Sequence, residues 1–120
     1  MLRISRGTVV NATGMERADV LVSNGRIARL VAHGAPVEGV ERVIDAAGRF
    51  VLPGAIDVHT HLDLPVGDFS SSDDFETGTI AAACGGTTCV LDYATQDRGE
   101  SLHAALDRWK RKAEGRAVVD

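Results

Sequence analysis

His59 and His61 stand one residue apart at the end of the run Phe50-Val51-Leu52-Pro53-Gly54-Ala55-Ile56-Asp57-Val58-His59-Thr60-His61. On a β-strand, residues i and i+2 point to the same face, roughly 6–7 Å apart at about 3.3 Å rise per residue. Two imidazoles leaning from one face can both reach a metal ion about 2.1 Å from each ring nitrogen. Asp57 is on that face too, one step further in, where a carboxylate can orient a ligating histidine from behind. A lone strand histidine is ordinarily a hydrogen-bonded or surface residue, and a His-x-His pair can arise by chance. The surroundings favour the chemical reading. The segment before the pair is apolar and β-branched, carries no helix start signal and is entered sharply at Leu52-Pro53-Gly54, so it reads as a buried strand. Burying three polar groups there without partners costs a few kcal/mol, and a metal ion is the partner that answers them.

The elements that must position these residues fall into two parts. Residues 1 to about 50 read as short strands. Leu2 and Ile4 alternate with Arg3 and Ser5, and Gly7-Thr8-Val9-Val10 continues the pattern. Asp19-Val20-Leu21-Val22 and Arg26-Ile27-Ala28-Arg29-Leu30-Val31 flank Ser23-Asn24-Gly25, a strong hairpin signal because Asn and Gly both tolerate φ > 0. Glu41-Arg42-Val43-Ile44-Asp45 is a further strand, and the sum is a small antiparallel sheet, too short to close a sandwich by itself. From about Phe50 the period changes. A loop from Leu62 to Ser72 is rich in Asp, Ser, Gly and Pro. Asp73 is then the expected N-cap of a helix, with Glu76 completing a capping box and Gly85-Gly86 stopping it. Thr87-Thr88-Cys89-Val90-Leu91-Asp92-Tyr93 reads as a second strand. Leu102, Ala105, Leu106, Trp109 and Ala113 mark one face of an amphipathic helix, with Trp109 in the core. Lys110, Arg111 and Lys112 form its solvated last turn, and Gly115 ends it. Strand, helix, strand, helix and a final β-like run, Ala117-Val118-Val119-Asp120, predict the opening of a parallel α/β architecture.

Pro53-Gly54-Ala55-Ile56-Asp57-Val58-His59-Thr60-His61 resembles the first-strand metal motif of the amidohydrolase superfamily. Asp73-Asp74-Phe75-Glu76-Thr77-Gly78-Thr79-Ile80-Ala81-Ala82-Ala83-Cys84-Gly85-Gly86-Thr87-Thr88 is similar to the cyclic amidohydrolases, most closely the dihydropyrimidinase/hydantoinase branch. The resemblance runs over nearly the whole chain. It implies an α/β fold class: a partial β-sandwich domain over residues 1–50, then over 51–120 the first two strand–helix units of a metal-dependent (β/α)8 TIM barrel. Such a barrel takes on the order of 250 residues and this chain has 120, so the chain is expected to be an N-terminal fragment, inactive alone. The resemblance implies a hydrolase that opens dihydropyrimidines or hydantoins to N-carbamoyl amino acids. It would use two divalent ions, expected to be zinc, bridged by a carboxylated lysine. His59 and His61 would hold the more buried ion, with Asp57 behind them. The bridging lysine, two further histidines and a proton-transferring Asp would lie beyond Asp120. The loop from Leu64 to Ser70 and the strand end from Tyr93 to Thr95 match pocket-shaping segments, which makes Leu64 and Tyr93 substrate-pocket candidates. The intact protein would be a homotetramer.

Within that family, dihydroorotases usually carry Arg two residues after the second histidine, to grip a substrate carboxylate. Here the position is Asp63, and an acid there would repel such a group. Allantoinase remains an alternative, since its early motifs are similar. The dihydropyrimidinase-related binding proteins share the fold without the metal pair, and His59 and His61 count against that class. Lys110 and Lys112 lie in the polar part of a predicted helix, so neither is a bridging lysine. His33, in a turn, and His103, in the amphipathic helix, are expected at the surface.

Composition sets the remaining bounds. Hydrophobic residues make up 44% and charged residues 25%, ordinary for a globular domain. A net charge of −4 provides no basic patch, which argues against nucleic acid. Met1-Leu2-Arg3-Ile4-Ser5-Arg6 lacks the apolar core of a signal peptide, and no apolar run approaches the roughly 20 residues of a membrane helix. A cytoplasmic protein with no membrane partner is expected. Cys84 and Cys89 are not in a metal spacing and are expected as buried free thiols.

Overall fold

Asn24 and Gly25 take φ of 50° and 71°, the left-handed pair that a tight hairpin needs to match strand twist. The computed structural model describes all residues from Met1 to Asp120 in two units, Met1–Pro53 and Gly54–Asp120. In the first unit, strands β1 (Leu2–Ser5), β2 (Thr8–Asn11), β3 (Gly14–Ser23), β4 (Arg26–Ala32), β5 (Arg42–Asp45) and β6 (Phe50–Val51) form one sheet. Its order is β5-β1-β3-β2-β6, with β4 also paired to β3. The sheet is mixed and not purely antiparallel as the sequence suggested. The chain crosses over before returning, so β5 runs parallel to β1 and β6 parallel to β2.

The long strand β3 shows how a period of two separates two environments. Ala18 and Val20 turn to one side, where Val9 joins them and Ile4, Val22 and Val51 pack around. Asp19 and Leu21 turn to the other and are completely buried. A buried carboxylate needs donors, and Asp19 has them. Arg3 donates through Nε (2.9 Å) and also Nη2, and the Arg6 main-chain N–H donates at 3.0 Å. The Gly34 N–H adds a donor at 3.2 Å, and His33 Nδ1 lies 3.1 Å away. His33 is at the surface as expected, its side chain 42% exposed, and it also takes part in this cluster.

In the second unit the elements are β7 (Ala55–Thr60), the short pair β8 (Pro65–Val66) and β9 (Phe69–Ser70), helix α1 (Phe75–Cys84), β10 (Thr87–Asp92) and helix α2 (Leu102–Ala113). β7 and β10 pair in parallel, the arrangement a strand–helix–strand unit imposes. Asp120 bonds to the other edge of β10: its N–H donates to Thr88 (3.2 Å) and its carbonyl accepts from Val90 (2.7 Å), which is a parallel bridge.

Several local expectations change here. The N-cap of α1 is Asp74 and not Asp73. Asp74 Oδ1 accepts from the N–H groups of Glu76 and Thr77, and Thr77 Oγ1 returns a bond to the Asp74 N–H, so Thr77 replaces Glu76 in the box. The 62–72 loop contains the β8–β9 hairpin around Gly67-Asp68. The expected burial of β7 does not occur: Ile56 and Val58 are 61% and 65% exposed, because a two-stranded sheet has too few neighbours to cover its own faces. Cys84 is exposed and Cys89 half-buried, both free.

Close approach explains one glycine. A Cβ on Gly54 would stand 2.0 Å from Thr88 Oγ1 and 2.3 Å from its Cγ2, so the β7–β10 pair leaves no room for one. Gly54→Ala is expected to destabilise the protein by about 1–3 kcal/mol, the usual cost of overpacking. Chemical denaturation checks this, and adding Thr88→Ala should recover part of the loss.

Candidate functional site

Parallel pairing brings the C-terminal ends of β7 and β10 side by side, and the chemically capable residues gather there. His59 is the penultimate residue of β7 and His61 lies just beyond it. Their Cβ atoms start on one face, and the rings converge until the two Nε2 atoms are 3.1 Å apart. The ring planes are inclined by 67°. Two nitrogens bound to one tetrahedral ion through bonds of about 2.1 Å stand roughly 3.4 Å apart. The observed separation is thus compatible with a shared cation. In a neutral pair without one, a single proton can lie between the nitrogens, with one ring donating and the other accepting.

Tyr93 follows β10 directly, and its N–H donates to the Thr60 carbonyl at 3.3 Å. Its ring lies 4.5 Å from the His59 ring and 5.6 Å from the His61 ring, centroid to centroid. The structure therefore joins Tyr93 to the imidazole pair. Leu64 is placed at the foot of the β8–β9 hairpin, its N–H donating to Ser71 Oγ at 2.9 Å and its carbonyl accepting from the Ser71 N–H at 2.8 Å. Asp57 Oδ1 accepts from the His59 main-chain N–H at 3.1 Å, so it braces the backbone of His59 and not a ring nitrogen. No third histidine, cysteine or carboxylate joins the pair to make a group of three.

Three residues with no expected place in the site hold this corner together. Asp92 Oδ2 accepts from Thr60 Oγ1 (3.0 Å) and from the Leu62 N–H (2.7 Å), while Oδ1 accepts from Trp109 Nε1 (2.7 Å). Trp109 is core, as its spacing indicates, but its indole N–H also needs a partner when buried. Lys112 is not a freely solvated helix-end residue. Its Nζ donates to the Asp63 carbonyl at 2.7 Å, pairs with the Asp63 carboxylate at 3.1 Å and lies 4.5 Å from the Trp109 ring centre. The Asp63 charge is thus answered within the chain. A signal for Asp92 existed in the sequence: it is the one charged residue in an otherwise β-branched and apolar strand.

No family model matches the chain. Individual proteins do. The chain is 49% identical over 117 residues to a D-hydantoinase of Geobacillus stearothermophilus, covering 98% of this chain and 24% of that protein. It is 45% identical over 119 residues to dihydropyrimidinase 2 of Caenorhabditis briggsae, covering 99% of this chain and 23% of that one. Among solved structures, the D-hydantoinase of Bacillus sp. AR9 superposes with a TM-score of 0.92 at 47% identity, covering all of this chain and 26% of its own. Fold and sequence thus point to one class, the amidohydrolase superfamily. Within it, the chain belongs to the D-hydantoinase/dihydropyrimidinase family. It spans about a quarter of the length of the curated relatives it matches.

Proposed function

We propose that the protein carrying this chain is a metal-dependent cyclic amidohydrolase, opening the ring amide of dihydropyrimidines or hydantoins to N-carbamoyl amino acids. The observation that carries this reading is the 3.1 Å convergence of the His59 and His61 Nε2 atoms at the end of a parallel strand. Neutral imidazole suits zinc, and the nitrogen separation suits two ligands on one ion. Two imidazoles fall short of the three or more protein ligands that a catalytic zinc normally takes. The rest of the set, a bridging carboxylated lysine to a second ion, two histidines and an aspartate, belongs to sequence outside these residues. Lys112 is engaged with Asp63, and Lys110 is exposed on α2. On this reading the 120 residues alone are inactive.

A divalent cation held there would lower the pKa of water from 15.7 toward about 7 and so supply hydroxide for attack on the amide carbonyl. The chain's own residues prepare the place. Asp57 fixes the His59 backbone through its N–H, and the Tyr93 ring packs against both imidazoles. Tyr93 and Leu64 then contribute to the wall facing the ring substituent. The second unit is the first two strand–helix units of a (β/α)8 barrel, supported by the parallel β7–β10 pair and the Asp120 bridge. The first unit is part of a small sandwich domain. No helix is long and apolar enough to cross a membrane, and the same reading makes the enzyme a cytoplasmic homotetramer.

Metal removal tests the proposal. The full-length protein is expected to hydrolyse hydantoin or dihydrouracil, to lose that activity on dialysis against a chelator and to regain it with zinc. Turnover that survives complete metal removal would contradict the reading.

A further inference from the structure

We infer that Asp92 is a positioning residue for the imidazole pair, acting through Thr60 and Leu62. The inference rests on the reading of His59 and His61 as metal ligands and goes beyond it by naming what aims them. Thr60 lies between the two histidines and Leu62 follows the second, so the groups bound to Asp92 bracket His61 along the chain. One oxygen, Oδ2, takes both the Thr60 hydroxyl (3.0 Å) and the Leu62 N–H (2.7 Å). The other, Oδ1, is held by Trp109 Nε1 at 2.7 Å. Trp109 is buried in α2, so the carboxylate ties the departing end of β7 to a fixed point on a packed helix.

The geometry explains why a carboxylate is needed. Asp92 accepts three hydrogen bonds and donates none. An asparagine carries one accepting oxygen and one NH2 group. Facing Trp109, that NH2 would oppose an indole donor. Facing Thr60 and Leu62, it would oppose a main-chain donor. Either orientation breaks the arrangement that holds residues 60–62. Apart from Asp92, the segment is tied by the Tyr93 N–H on the Thr60 carbonyl at its start, and at its end by the Asp63 N–H on the Asp73 carbonyl (2.8 Å) and by Lys112 on Asp63. An imidazole on a freed segment swings by more than the few tenths of an ångström that shared coordination allows.

The test uses the full-length protein and three substitutions: Asp92→Asn, Thr60→Val and Trp109→Phe, with Thr60→Ser as the conservative partner. Zinc affinity is measured by competition with a chromogenic chelator, and the cobalt(II) form gives an absorption spectrum. Metal-free crystal structures give the Nε2 separation. Asp92→Asn is expected to weaken zinc binding about 10–100-fold, the usual effect of removing a group that orients a ligand. It should also alter the cobalt spectrum and part the imidazole nitrogens. Thr60→Val should show a smaller loss, and Thr60→Ser wild-type binding. If Asp92→Asn lowers only the unfolding temperature, with affinity and spectrum unchanged, the residue is structural and the inference is wrong. Should that variant not fold, unchanged affinity in both Thr60→Val and Trp109→Phe overturns the inference equally. Wild-type protein that takes up no His59-dependent zinc, while its rings still part in the metal-free Asp92→Asn crystal, defeats the metal reading and leaves the positioning role standing.

Discussion

Replacing His59 by alanine in the full-length protein is expected to abolish ring opening and to lower bound metal. The side chain supplies one of the two converging nitrogens at the end of β7, and without it the proposed ligand set loses one of its imidazoles and the ion is held more weakly. Loss of the ion removes the source of hydroxide at neutral pH, and amide attack by water itself is too slow to detect on the time scale of an assay. The control is His103→Ala. His103 is exposed on α2 and takes no part in the site, so that variant should keep both metal and turnover. Retained wild-type activity in His59→Ala would defeat the ligand assignment.

A second large effect is expected in the first unit, at Asp19. Arg3 and Asp19 form a pair that is 14% and 0% exposed. Removing one partner of a buried pair leaves an uncompensated charge and costs roughly 3–5 kcal/mol. Asp19→Ala should lower stability by that order in chemical denaturation. The double change Arg3→Met with Asp19→Leu should recover only part, because the Arg6 and Gly34 N–H groups would still lack their acceptor. An Asp19→Ala variant as stable as the wild type would mean that the sheet does not depend on this carboxylate.

The same residue sets a pH dependence. Burial alone would raise the Asp19 pKa, but donation from Arg3, the Arg6 main chain, His33 and Gly34 outweighs it and holds the carboxyl well below the usual carboxylate range. In the unfolded chain the group titrates near pH ~4. A folded-state pKa below the unfolded one means stability that is fully present above the unfolded value and lost as pH falls through the folded one. The wild type should therefore lose stability on acidification below about pH 4, with a shallower slope in Asp19→Ala.

These effects differ in how visible their causes are in the sequence. The imidazole pair is legible because strand alternation is a rigid rule and the Leu52-Pro53-Gly54 entry fixes where the alternation begins. The Asn24-Gly25 hairpin and the extent of α1 are legible for the same local reason. Pairing across long connections is not. The parallel partners β5 and β6 carry no periodic mark of the strands they join, and the six-residue β10 gives no hint that its carboxylate reaches Trp109 seventeen positions on. The choice between Asp73 and Asp74 as N-cap turns on which carboxylate the first turn faces, a matter of one residue of backbone path. The exposure of Ile56 and Val58 is likewise invisible locally, since their composition describes a strand fit for burial and not what packs against it.

The most direct test is an anomalous diffraction map at the zinc edge from crystals of the full-length protein grown with zinc. A single strong peak is expected within about 2.1 Å of both the His59 and His61 Nε2 atoms. A map with no peak there, or with zinc bound elsewhere while the two rings stay bonded only to each other, would contradict the shared-cation reading.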